Sequence, residues 1–425
     1  MKKDLLTITV IGLGLMAACN SNKKTEDNST EIHQGYSETA DQYEVDGWVI
    51  SNVDVKAKLW NPRGKTEEQI EARARFLTEA YDIQRTEAQI KRANEAQARY
   101  ADAIVVNSLM AGSVGIIGTG PEHYKKGINR NKDADMTLTS CTAYAFPGDG
   151  DDNDVLGRIE ASKAVLNRMG IKVAMNVDDI LEAKKNDEMV VIFNSQGAEY
   201  FIDNEEIMSK VKAAGLHISN FVYNNDNALA GGSAKQESGV TALGEKFIKA
   251  CNENGIVVDV SHSSDQTAID AARISTKPII ASHSPAKALN KINRNISDEA
   301  MLAIAETNGC VCATGVGLFL NEEYDANPEE YAKHVNYTAN LIGKNRTCFS
   351  TDYMYNAEGM FRSNVTNVDV YPPEKGFGGP ASNTAPEHIW DVAAILEDDY
   401  GWTEKEIRGF LGENLLRVYK ANWSN

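Results

Sequence analysis

Two apolar, β-rich runs in the second half of the chain end in histidine: Val257-Val-Asp-Val-Ser-His262 and Ile279-Ile-Ala-Ser-His283. If they are neighbouring parallel strands, their tips lie side by side. Two imidazoles then converge, as they do on a divalent metal that binds ring nitrogens at about 2.0–2.1 Å. A third run, Phe349-Ser-Thr-Asp352, ends in a carboxylate that can ligate a metal, act as a general base, or simply cap the turn that follows. A fourth, Asn194-Ser-Gln196-Gly197, presents amides and a hydroxyl but no carboxylate. Arg294 follows the second histidine within Asn293-Arg-Asn295. Its planar guanidinium suits bidentate capture of a substrate carboxylate, and equally a surface salt bridge. Of the other histidines, His33, His123, His217, His334 and His388 have no second histidine at a neighbouring strand end and read as structural or surface residues.

Such groups need a scaffold that brings many strand ends to one face. After Tyr100 the sequence alternates short Val, Ile and Phe-rich runs with helical segments, the pattern of parallel strands joined by crossover helices. Eight runs are legible: 103–107, 136–143, 189–195, 217–223, 256–261, 278–282, 310–316 and 347–351. Helices are expected between them at 155–169, 205–214, 241–254, 266–274, 298–307 and 328–342, with two more over 386–419. Eight such units predict an α/β fold, a closed (β/α)8 TIM barrel, with functional groups at the C-terminal strand ends. The rival, an open doubly wound sheet, calls for a glycine-rich phosphate turn after the first strand. Residues 113–121 are glycine-rich, but Pro121 interrupts them and no convincing helix follows.

Ahead of the barrel, residues 43–100 read as a helical extension, a lid or brace, with Ile70, Ala74, Leu77 and Tyr81 at helical spacing. Residues 20–42 lack large apolar side chains and read as a flexible tether. Residues 1–19 have the charged start, apolar stretch and small-residue end of a secretory signal, closing on Met16-Ala-Ala-Cys19. A cysteine in that place is similar to a bacterial lipobox, which makes Cys19 the lipidation site and the protein an extracytoplasmic one anchored to a membrane. An ordinary signal peptide gives the same side of the membrane. The barrel then occupies 101–425. The five later cysteines, at 141, 251, 310, 312 and 348, form no zinc-finger spacing and are expected to be buried thiols, with a disulfide allowed but unassignable. A net charge of −18 argues against a phosphate-backbone partner such as nucleic acid, which needs clustered Lys and Arg. A homodimer is compatible with all of this.

The ordered motifs Asn227-Ala-Leu-Ala-Gly-Gly-Ser233, Gly239-Val-Thr-Ala-Leu-Gly244, Val258-Asp-Val-Ser-His262, Ala281-Ser-His-Ser284, Arg294-Asn295 and Gly412-Glu-Asn-Leu-Leu-Arg417 resemble the renal (membrane) dipeptidase family. The resemblance spans residues 100–420. It implies a metal-dependent hydrolase barrel that carries two zinc ions and cleaves dipeptides, tolerating a D-residue at the C-terminal position. It also implies that His262 and His283 bind the second metal, that Arg294 grips the dipeptide carboxylate, and that Asp352 handles the proton.

The sequence departs from that pattern where the first metal should bind. The family's His-x-Asp motif after strand one falls on Leu109 and Ala111, and its bridging glutamate on Gln196, whose neutral amide offers at most a weak carbonyl ligand. A histidine after strand four falls on Tyr223, which can still donate a hydrogen bond. The resemblance then implies one metal, zinc or another divalent ion, on His262, His283 and Asp352 with Gln196 or water completing the sphere. The expected activity is a mononuclear hydrolase for dipeptides or a related small amide. The rivals are a non-catalytic cell-surface binding protein on the same scaffold, and a barrel enzyme with a non-peptide substrate.

Overall fold

The computed structural model describes residues 60–145, 154–369, 371–373, 377 and 379–423, and the backbone of 42–45 and 48–51. Cys19, the signal segment and the tether up to residue 41 lie outside the described residues.

The chain opens with two strands, β1 (Gln42–Val45) and β2 (Trp48–Ser51), paired antiparallel with Val45 opposite Trp48. The segment 43–100, expected as a helical extension, thus begins with a strand pair. Helices 67–79 and 87–99 follow, each begun by a threonine that accepts a hydrogen bond from the glutamine three residues on, which in turn bonds back to the threonine N–H.

Eight parallel strands then run in the order β11-β10-β9-β8-β7-β6-β4-β3: β3 (Val106–Met110), β4 (Leu138–Ala145), β6 (Val190–Gln196), β7 (Leu216–Asn220), β8 (Val257–Asp259), β9 (Ile280–Ala281), β10 (Cys310–Cys312) and β11 (Thr347–Cys348). The row closes on itself. Ser108 N–H donates to Phe349 O at 3.1 Å, and Asp352 N–H to Leu109 O at 3.0 Å, joining the first strand to the last. This is the (β/α)8 barrel expected from the alternation of runs. The first strand begins three residues later than its apolar run, and one short strand, β5 (Lys172–Val173), pairs outside the row with β6.

Strand parity separates two cores. Val106, Leu138, Val190, Ile192, Ile218, Val257 and Ile280 cluster with Leu415 and Val418 of the last helix, 414–423, which plugs the N-terminal end of the barrel. Their neighbours Val191, Phe193, Val258, Ile279 and Val311 pack outward against the ring of helices. A single turn of π-helix, 409–413, precedes the plug, and Asn414 Nδ2 donates to Lys344 O and Thr347 O. Gly412 is required there, because a Cβ would lie 2.5 Å from Ile104 O.

Cys312 and Cys348, paired in register on β10 and β11, form a disulfide, whereas Cys141, Cys251 and Cys310 are buried free thiols. Among the described residues no helix is long and apolar enough to cross a membrane.

Candidate active site

His262 follows β8 in a left-handed turn, φ 65°. Its carbonyl accepts from Ser233 N–H at 2.7 Å, so the 227–233 segment docks beneath it. Gly232 makes the approach feasible, since a Cβ would sit 2.4 Å from Asn224 O. The imidazole is buried, with Nδ1 2.8 Å from Asn224 Oδ1 and Nε2 2.9 Å from Gln196 Oε1, and Tyr223 stacks on it at 4.1 Å. Burial, reinforced by the Arg294 cation and by His283, holds its pKa well below the usual histidine value. The ring is therefore neutral and carries one N–H. Gln196 Nε2 donates to Thr142 Oγ1 at 3.0 Å, which turns its oxygen toward His262 and assigns that N–H to Nε2. Nδ1 must then accept, which the Asn224 amide permits when it presents its NH2 group.

His283 is fixed differently. Its Nδ1 lies 2.6 Å from Ser282 Oγ, and Ser282 Oγ donates in turn to the carboxylate of buried Asp259. Asp259 Oδ1 also accepts from the backbone N–H groups of Ser261 and Ser282, at 2.9 and 3.0 Å. This chain sets the tautomer: Nδ1 carries the proton and donates to the hydroxyl, leaving the Nε2 lone pair buried and without a hydrogen-bond partner. Burial first, then Arg294, keeps this ring neutral as well.

Asp352 leaves β11 with φ 52°, a left-handed conformation that costs energy in a non-glycine residue and clusters at functional sites. Burial pushes its carboxyl up to about 7, against the opposing pull of Arg294. Arg294 is buried, donates through Nη1 to Ser284 Oγ at 3.1 Å, and lies 5.2 Å from the Phe319 ring centroid. Its Nε and Nη2 have no hydrogen-bond partner. Asp352, Tyr223 and Asp259 all favour its charge against the cost of burial. The Tyr223 hydroxyl is pushed well above its ordinary value by burial, with Tyr371 and Asp352 adding to the effect.

Thus Gln196, Tyr223, His262, His283, Arg294 and Asp352 gather at one end of the barrel. Sequence reasoning missed Asn224, which sits in a loop without a motif, and the Asp259-Ser282 support of His283. A carboxylate inside the apolar run Val257-Val-Asp-Val was the available signal for the latter. It also missed Tyr81 and Asn383. The Tyr81 hydroxyl accepts from Met354 N–H at 2.8 Å and from Asn383 Nδ2 at 2.9 Å, bracing the segment that carries Asp352.

The family that the sequence resembles implies a divalent metal, and the donors do not fit one. Among the described residues no three His, Cys, Asp or Glu side chains are grouped so as to hold a metal ion. The rings of His262 and His283 stand 5.0 Å apart, centroid to centroid, but with Asp352 they do not make up such a group. The His262 nitrogen facing Gln196 is engaged by its amide, and Leu109 and Ala111 are buried apolar residues packed with Ile116 and Met354. Of the two rings, that of His283 keeps an Nε2 lone pair without a hydrogen-bond partner.

The model of the membrane dipeptidase family, peptidase family M19, matches residues 141–373. Among solved structures, an amidohydrolase from Pseudomonas aeruginosa aligns with a TM-score of 0.67 at 23% identity, covering 78% of this chain and 99% of its own. The probable dipeptidase PvdM from Pseudomonas aeruginosa aligns at 0.59 and 16% identity, covering 79% and 99%. A metallopeptidase from Rhodobacter sphaeroides, liganded with a phosphinate mimic of the dipeptide L-Ala-D-Ala, aligns at 0.58 and 17% identity, covering 76% and 100%. At these identities the structural likenesses establish the fold.

Proposed function

Because the chain belongs to the membrane dipeptidase family, peptidase family M19, we propose that it is a dipeptidase-like hydrolase for a small carboxylate-bearing amide, working through its own side chains without the family's two-metal centre. The observation that carries this is the pairing of a buried arginine whose Nε and Nη2 have no partner with a carboxyl held at about 7. An unpartnered buried guanidinium is costly, and a ligand carboxylate relieves it through charge-assisted hydrogen bonds. A carboxyl near neutrality passes a proton in either direction at physiological pH.

In the proposed reaction Arg294 holds the free carboxylate of the substrate and Asp352 takes a proton from water as the water oxygen bonds to the amide carbon. The carbon-nitrogen bond breaks, and the same proton passes to the leaving nitrogen. Tyr223 supplies a hydroxyl on the carbonyl side, and neutral His283 offers its Nε2 as an acceptor. The ligand of the Rhodobacter sphaeroides relative, a dipeptide mimic, supports a dipeptide-like substrate here.

A second reading, a cell-surface binding protein without turnover, is favoured by the missing three-donor group. Incubating the soluble chain with L,L- and L,D-dipeptides, with metal content measured on the same sample, decides between them. Turnover at less than stoichiometric metal supports the hydrolase. Binding without turnover selects the second reading, and neither binding nor turnover removes both. The run Met1–Cys19 further supports lipid attachment at Cys19 on an extracytoplasmic membrane face. Incorporation of labelled fatty acid that is lost in Cys19→Ser tests this.

A further inference from the structure

We propose that the place where the family's first metal would sit is, in this protein, a subsite for an uncharged apolar side chain on the amino-side residue of the ligand. The inference rests on the carboxylate-anchoring role of Arg294 proposed above and extends it to substrate class.

At the tip of β3, Leu109 and Ala111 pack with Ile116 and Met354, with Ile117, Ala145 and Met360 against them. Except for Leu109, which lies behind, these residues form one wall of a cavity of about 110 Å³ whose lining also includes Gln196, Tyr223 and Asp352. An apolar cavity of about 150 Å³ in another protein accepts benzene, so this size suits a branched aliphatic or thioether side chain, and a phenyl ring once the walls give a little. Met354 and Met360 supply that give, being unbranched and readily repacked. An anionic side chain would find no counter-ion among Ala111, Ile116, Met354 and Met360, would face Asp352, and would be desolvated without compensation.

The cavity adjoins the arginine site. Phe319 and Phe377 line both it and a neighbouring cavity of about 320 Å³ that contains Arg294 and Asn224. A small molecule that reaches past Phe319 and Phe377 would meet three features: Arg294 at its carboxylate, Asp352 at its amide, and the Ala111-Met354 wall at the side chain beyond. Ala111, Ile116 and Met354 thus supply hydrophobic area that binding can use.

The test is equilibrium binding of Gly-Ala, Leu-Ala, Phe-Ala and Asp-Ala to the soluble chain by calorimetry, with kcat/KM compared wherever turnover occurs. Leu-Ala and Phe-Ala are expected to bind at least tenfold more tightly than Gly-Ala, and Asp-Ala least tightly. Ala111→Asp should bring the Leu-Ala to Gly-Ala ratio close to one. If that variant fails to fold by circular dichroism, Met360→Lys, at the partly exposed edge of the wall, carries the same expectation. Arg294-dependent binding with no preference for apolar residues, or a preference unaltered in the folded variant, overturns the subsite and leaves the arginine role standing. No binding of any dipeptide to the folded wild-type chain overturns both.

Discussion

His262 Nε2 and Gln196 Oε1 face each other at 2.9 Å, so a neutral amide engages the ring nitrogen that a metal would need. A carboxylate in place of that amide would stabilise the imidazolium and add an anionic donor. Gln196→Glu is accordingly expected to raise the His262 pKa, read from ring-proton NMR shifts, and to increase the zinc retained after dialysis relative to wild type. Adding Leu109→His and Ala111→Asp should increase it further. Wild type retaining one zinc per chain would show that the donors rearrange to bind metal and that the geometry described above is not the operative one.

Asp352 predicts how stability and activity depend on pH. Its folded pKa of about 7 lies above the ordinary 3.8, so the folded state binds the proton more tightly than the unfolded state does. The associated stability is fully present below pH 3.8 and is lost as pH rises to about 7, after which the loss is constant. Asp352→Asn removes the ionisation. Its melting temperature should exceed that of wild type by a few degrees at pH 8, with the gap closing as pH falls. The same variant should abolish any limb near pH 7 in the activity profile. A gap that is independent of pH between 4 and 8 would mean that Asp352 titrates as an ordinary surface carboxylate.

The Ser282 hydroxyl links His283 to Asp259, and all three residues are buried. In Ser282→Ala the Asp259 carboxylate keeps its two backbone donors but loses the hydroxyl, and His283 Nδ1 loses its acceptor. Leaving buried polar groups unpaired costs about 1–3 kcal/mol. The urea midpoint should fall by a corresponding amount with an unchanged slope, and the freed His283 ring should show a mixture of tautomers in its 15N shifts. A variant with wild-type stability and a single tautomer would show that the hydroxyl is not what orients the ring.

What could be read from the sequence, and what could not, follows from how far apart the interacting groups lie in the chain. The strand ends carrying His262, His283 and Asp352 were legible because a parallel barrel puts chemistry at the C-terminal tips, and apolar runs ending in polar groups mark those tips. How the three side chains are directed was not legible, because whether three donors share one centre depends on side-chain directions that spacing does not encode. Asn224 and Asn383 act from loops, and Tyr81 braces Met354 across 273 residues of sequence. The β1-β2 pairing has its own signal, since Asp46-Gly47 between β-rich runs is a strong short-range hairpin cue, whereas the helical composition begins only near Thr66.

Arg294 yields the sharpest energetic prediction. Its Nη1 is used by Ser284, and Nε and Nη2 are left for a ligand. Replacing it with alanine removes a charge-assisted contact worth about 1.5–3 kcal/mol, a loss of roughly ten- to a hundredfold in the affinity of a carboxylate-bearing dipeptide. Dipeptide amides, which lack the carboxylate, should bind wild type and Arg294→Ala about equally. Arg294→Lys should not restore affinity, because an ammonium cannot present the two parallel donors of a guanidinium. Removing the cation also relieves the only opposing pull on Asp352, so the carboxyl should titrate still higher in Arg294→Ala. Calorimetry with matched acid and amide ligands separates these effects. Equal loss of affinity for both ligands would make Arg294 a structural support of the cleft and leave the carboxylate without a partner.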